Sequence, residues 1–153
     1  MTAATHEDFI NLAIELARAK VAEGGLPYGA VVVLDGKVIG DSSKRNPTLP
    51  AYLDHAELVA IMNACAALKA PKLPNGCILY SNCESCDLCS SAAKWVGITE
   101  AHFAINTDDA KDIGHHDDMF IDRPAKLNLN HHPRPDHKTE MKDWYDKNWR
   151  PAT

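Results

Sequence analysis

The spacing of apolar residues changes period repeatedly along the chain. Phe9, Leu12, Ala13, Leu16 and Ala17 recur at steps of three and four, the period of one helix face. They follow Thr5-x-x-Asp8, a helix-start signal, and stop at Gly24-Gly25. Ala30-Val31-Val32-Val33-Leu34 is then continuously apolar, Asp35-Gly36 is a turn pair, and Lys37-Val38-Ile39-Gly40 follows, which predicts a β-hairpin. Residues 42–54 contain Pro47 and Pro50 and read as a loop. Leu58, Ile61, Met62, Cys65 and Leu68 form an apolar stripe that predicts a helix starting after Asp54. A short buried strand over 77–81, a helix over 87–96 and a strand over 101–106 come next. The order α-β-β-α-β-α-β predicts an α/β fold, a three-layer α/β/α sandwich around a central mixed sheet. Beyond Thr107 the pattern weakens to one helical turn within 114–121, a short strand about Leu127 and Leu129, and a loop over 131–137. A last helix carries Met141, Trp144, Tyr145 and Trp149.

Composition narrows the function. With 153 residues, 45% of them hydrophobic, the chain is expected to form a single domain with a substantial core. It shows no apolar leader and no run near the roughly 18 residues of a membrane helix, so a cytoplasmic protein without a membrane partner is expected. A net charge of −5, with Lys and Arg scattered, disfavours a nucleic-acid partner, which usually demands a basic face, and favours a small molecule. Five cysteines in such a setting point to metal or buried thiols rather than disulfides. Cys65 and Cys77 lie in apolar patterns and read as core. His115, His116, His131, His132 and His137 read as surface residues.

The chemistry concentrates in two short motifs. His55-Ala56-Glu57 and Cys86-Asp87-Leu88-Cys89 together supply one imidazole and two thiolates, three zinc ligands. Structural zinc sites are closed by four ligands, whereas catalytic ones keep a position open for water. H-x-E followed by C-x-x-C is the zinc-deaminase signature, in which the glutamate moves protons and does not bind metal. Two other readings stay open. Cys83 would complete a closed site of three cysteines and one histidine, and Asp54 with Glu57 reads as a helix-capping box. Both halves fall at predicted helix N-termini, where the helix dipole and free N–H groups favour thiolate. Backbone N–H groups near Ala56 and Cys86 would lie close enough to polarise developing charge.

These motifs resemble the cytidine-deaminase-like superfamily of zinc deaminases, and within it the bacterial guanine deaminases. Gly25-Leu26-Pro27-Tyr28-Gly29-Ala30-Val31-Val32-Val33 is similar to the family's G-x-P-F-G-A-V stretch, and residues 55–61 and 77–89 to its two zinc segments. Thr107-Asp108 with Gly114-His115-His116-Asp117-Asp118-Met119-Phe120-Ile121 resembles a segment of guanine deaminases that transfer-RNA adenosine deaminases lack. The resemblance implies a Zn2+ cofactor and hydrolytic deamination of a small aminated heterocycle, guanine giving xanthine and ammonia. Guanosine, cytosine, triazines or pterins are the neighbouring substrates, and a non-catalytic zinc-stabilised binding module is the reading of another class. By this match Asp118 is a second carboxylate that helps with proton handling or holds the guanine edge, while Tyr28, Asn46, Ala56 and Trp95 contact the substrate. A homodimer is implied, with the segment from about 122 to 153 exchanged and Trp144, Tyr145 or Trp149 closing the partner's site. The chain departs from the pattern around the pocket. Ser85 replaces a proline, residues 50–54 lack D-P-T-A, Lys44 occupies an asparagine position that Asn46 must supply, and His115 or His116 replaces phenylalanine.

Overall fold

The computed structural model describes residues 2–44, 49–50, 53–106, 108–109 and 133–148, without the side chains of 141, 144–146 and 148. The chain divides into two compact units, Met1–Asp122 and Arg123–Thr153. In the first, helix α1 (His6–Ala22) precedes the hairpin β1 (Ala30–Leu34) and β2 (Lys37–Asp41). Helix α2 (Ala56–Leu68), strand β3 (Ile78–Cys83), helix α3 (Asp87–Trp95) and strand β4 (Glu100–Ile105) follow. The second unit contributes helix α4 (Pro135–Asn148).

The four strands form one mixed sheet in the order β2-β1-β3-β4. β1 is antiparallel to both β2 and β3, and β3 runs parallel to β4. Because strand side chains alternate between faces, the continuous apolar run of β1 serves two layers. Val31 and Val33 pack with Phe9 and Tyr80 on the α1 side, while Ala30 and Val32 join Ala56, Ala60 and Ala64 of α2. This is the α/β/α sandwich with a mixed sheet that the element order predicts.

Local rules account for the ends of these elements. Thr5 caps α1 in a capping box, its side chain accepting from the Asp8 N–H while Asp8 accepts from the Thr5 N–H. Asp35 and Gly36 both adopt positive φ, 50° and 74°, the backbone of a tight hairpin turn. At Gly40 a Cβ would lie 2.4 Å from the backbone nitrogen of Ala64 and 2.5 Å from the Ala60 carbonyl oxygen. The absent side chain and the small alanines therefore let α2 rest directly on the sheet. No helix of the described residues is long and apolar enough to cross a membrane.

Two boundaries differ from expectation. β3 continues to Cys83 because it pairs with β4 as far as Cys83 opposite Ile105, so tertiary pairing extends the strand past its most apolar residues. Helix α2 is capped by His55 rather than Asp54, and no side chain makes the capping hydrogen bond. Glu57 accordingly sits at the second helical position, and the capping-box reading of Asp54 and Glu57 does not hold.

Candidate metal centre and active site

α2 and α3 present their N-termini to each other, and these two ends carry the chemistry. His55 is the N-cap of α2, in extended backbone conformation. Cys86 is the N-cap of α3, where its sulfur accepts the Cys89 backbone N–H at 3.4 Å. Cys89 lies one turn further on, fully buried. Since Cβ atoms tilt toward a helix's N-terminus, first-turn side chains reach past the end and converge.

The His55 Nδ1 atom lies 3.5 Å from the Cys86 sulfur and 3.4 Å from the Cys89 sulfur. Tetrahedral coordination with ordinary zinc–nitrogen and zinc–sulfur bonds places such atoms about 3.5 Å apart. The three ligand atoms all fall within 4.8 Å of one another, so the donor set fits a zinc ion by both chemistry and spacing. Cys83 stands outside this group, half-buried, and among the described residues no fourth protein ligand joins the three. The closed structural site with Cys83 is therefore not formed. All five cysteines are free thiols, with Cys77 buried and Cys65 partly buried, as core positions require.

Charge at the centre is unevenly shared. Cys86 is held down to about 4, chiefly by the hydrogen bond from the Cys89 thiol and further by His55 and the Cys89 N–H. Cys89 is pushed well above the usual thiol range, because it gives its proton to Cys86 and is buried beside Glu57. The pair thus carries one thiolate and one proton that a cation displaces.

Glu57 is buried, 8% exposed, and its Oε2 lies 3.6 Å from the Cys89 sulfur. Burial is the main cause of its raised pKa; the negative charge of Cys86 adds to the rise, while its own backbone N–H, His55 and the Cys89 thiol oppose it. A carboxyl so placed beside a metal site both takes and returns protons readily. Ala56, between His55 and Glu57, is buried in the core cluster.

The remaining expected site residues are dispersed. Tyr28 is partly buried against the cluster that contains Ala56. Trp95 ends α3, more than a turn and a half beyond Cys89, and is 85% exposed, so it does not join the metal cluster in this chain. Asn46, Asp117 and Asp118, His115, His116, His131 and His132, and the side chains of Trp144, Tyr145 and Trp149 lie outside the described residues. Two residues emerge that pattern alone does not single out. Asn82 accepts from the Gly29 N–H at 3.0 Å and donates to the Pro27 carbonyl at 2.8 Å, holding the turn that carries Tyr28. Asn63 donates to the carbonyls of Asp41 and Lys44 at 2.9 and 3.1 Å, fixing the start of the loop before His55. Their only sequence signal is an amide where its neighbours are apolar or strand-forming.

Residues 3–105 match the family model of the cytidine and deoxycytidylate deaminase zinc-binding region, and the chain belongs to this family of zinc deaminases. It is 39% identical over 126 residues to guanine deaminase of Bacillus subtilis, covering 79% of this chain and 80% of that one. A crystal structure of the Bacillus subtilis guanine deaminase superposes with a TM-score of 0.78 at 32% identity, covering 98% of both chains. The tRNA-specific adenosine deaminase of Agrobacterium fabrum is 38% identical over 103 residues, 67% of this chain and 66% of its own length.

Proposed function

We propose that this zinc deaminase converts guanine and water to xanthine and ammonia. The observation that carries the reading is extent. Likeness to the Bacillus guanine deaminase spans 98% of the chain by structure and 79% by sequence, against 85% for a structure of a tRNA:A34 deaminase and 67% for the Agrobacterium sequence. A net charge of −5 also favours a free base over a polynucleotide.

His55, Cys86 and Cys89 hold the zinc, which when bound supplies Lewis-acid activation of water. Glu57 does the proton work. Its buried carboxyl takes a proton from the attacking water and passes it to the ring nitrogen next to the amine-bearing carbon, then takes the proton of the newly added hydroxyl and gives it to the amine as the C–N bond breaks. Ammonia leaves and the ring keeps the new carbonyl. Burial excludes bulk water from the carboxyl, so the proton is exchanged with the substrate rather than with solvent. Tyr28 is assigned to the pocket wall, Asn46 and Asp118 to the base edge, and Trp95 to a contact with substrate. A homodimer that exchanges the segment from about 122 to 153 would complete the wall, and such an enzyme serves purine breakdown in the cytoplasm.

The 38% identity to the transfer-RNA enzyme supports a second reading, deamination of adenosine within RNA. Ammonia release by zinc-loaded protein from guanine, guanosine, cytosine, cytidine, adenine and triazine amines, beside inosine formation in transfer RNA, separates the two. Turnover of guanine is expected. Inosine formation with no release from any free base would replace this reading by the second.

A further inference from the structure

A second cluster of metal-ligating side chains lies on the opposite face of the sheet from the zinc centre, where α1 packs. His6 opens α1, and its position is set by the Thr5–Asp8 capping box immediately before it. Glu100 and His102 stand two residues apart on β4 and therefore share one face of the strand. One ligand atom from each of the three falls within 4.8 Å of the others, although His6 is remote from the other two in sequence.

The cluster is organised. The His102 Nε2 atom lies 2.8 Å from a Glu100 carboxylate oxygen. The His6 and His102 rings stack with centroids 4.1 Å apart and planes inclined by 19°. Beneath them is Tyr80, 2% exposed, whose register partner across the parallel pair is His102. The Tyr80 hydroxyl oxygen lies 2.8 Å from the His6 Nδ1 atom. This contact engages Nδ1, and in the tautomer in which Nδ1 donates to the phenol, Nε2 is the nitrogen left for a cation. A hydrogen bond that fixes the tautomer and aim of a histidine in this way typically supports metal ligation.

We propose that His6, Glu100 and His102 form a second cation site, selective for divalent ions that accept imidazole and carboxylate together, such as Zn2+, Co2+ or Ni2+. Three ligands leave the remaining positions to water. The ion would tie the start of α1 to β4, a structural clip that does not take part in deamination. All three ligands lack thiolate, which distinguishes the clip chemically from the Cys86–Cys89 centre.

Equilibrium dialysis of the zinc-loaded protein against Ni2+, with His6→Gln and His102→Gln compared at the same free ion concentration, tests the site. Wild type is expected to hold one more equivalent than either variant, and binding in the variants to be at least tenfold weaker. Sub-stoichiometric Ni2+ is expected to broaden the ring-proton resonances of His6 and His102 before those of other histidines. Added Ni2+ should raise the melting temperature of wild type and not of His6→Gln, an exposed substitution that leaves the core intact. Equal binding by all three proteins, or broadening confined to other histidines, would overturn the proposal and leave the cluster as a stacked histidine pair.

Discussion

The metal half of the site and the substrate half proposed for it are built by opposite means. Zinc ligands and Glu57 come from the first turns of two helices, are buried, and lie within hydrogen-bonding range of one another. The residues proposed for the pocket wall come from separated places. Tyr28 sits on a turn tied down by Asn82, and Trp95 sits at the far, exposed end of α3. Chemistry that tolerates little misplacement is carried on helix ends locked by packing. The residues proposed to set which ring is accepted lie on a turn and at a helix end, apart from the zinc ligands. No departure from the family pattern, at Ser85, Lys44, 50–54 or His115 and His116, falls on a zinc ligand.

The contrast is broken most severely by removing a ligand. Cys89→Ala is expected to lose the zinc and all turnover, with zinc content and ammonia release measured on the same sample. Wild-type zinc affinity should also depend on pH with a definite sign. Cys86, at about 4, is already a thiolate at neutral pH, whereas Cys89 still holds the proton that zinc must displace. Affinity is therefore expected to fall as pH falls, by about tenfold per pH unit where one proton is released. Competition with a chromophoric chelator across neutral pH reads this directly, and a flat profile would contradict the shared proton.

Glu57→Gln comes next. Loss of the proton shuttle should lower kcat by about 10²–10⁴-fold, the usual contribution of a general acid–base group, while one zinc per chain stays bound. Since the substitution removes a buried acid with little change in shape, thermal stability should not fall.

Smaller effects are expected on the wall side. A Cβ at Gly29 would lie 2.1 Å from the Ala13 carbonyl oxygen and 2.6 Å from the Ala17 nitrogen. Gly29→Ala must push the Tyr28 turn off α1, at a cost of about 1–3 kcal/mol or more of overpacking. A lower melting temperature and a raised KM should accompany unchanged zinc content. Asn82→Ala leaves the partly buried Gly29 N–H without its acceptor, a loss of about 1–3 kcal/mol. Its expected signature is a several-fold rise in KM with kcat nearly preserved. If it lowered zinc content instead, the two halves would not be separable.

The same division explains what could be read from residues alone. The two faces of the sheet follow from the period of β1, the start of α1 from Thr5 and Asp8, and the hairpin from Asp35-Gly36. His55, Cys86, Cys89 and Glu57 are legible because helix ends impose fixed local spacings on them. Asp54 and Glu57 also satisfy a capping rule, and the rule misleads there because the metal ligand His55 occupies the N-cap itself. Wall residues obey no such spacing. Whether Trp95 faces a pocket depends on where one helix ends in three dimensions, and the roles of Asn82 and Asn63 depend on carbonyls many residues away. After Thr107 the apolar periodicity fades, and Asp118 and Asn46 lie outside the described residues.

The most direct test of the central claim measures ammonia and xanthine formed from guanine by the zinc-loaded protein, with zinc content determined in parallel for wild type and Glu57→Gln. Wild type should release ammonia and xanthine in equal amounts, and Glu57→Gln should keep its zinc while losing nearly all turnover. A Glu57→Gln protein that still deaminates guanine at the wild-type rate would contradict the assigned proton shuttle. A fully zinc-loaded wild type inert toward guanine would contradict the proposed substrate.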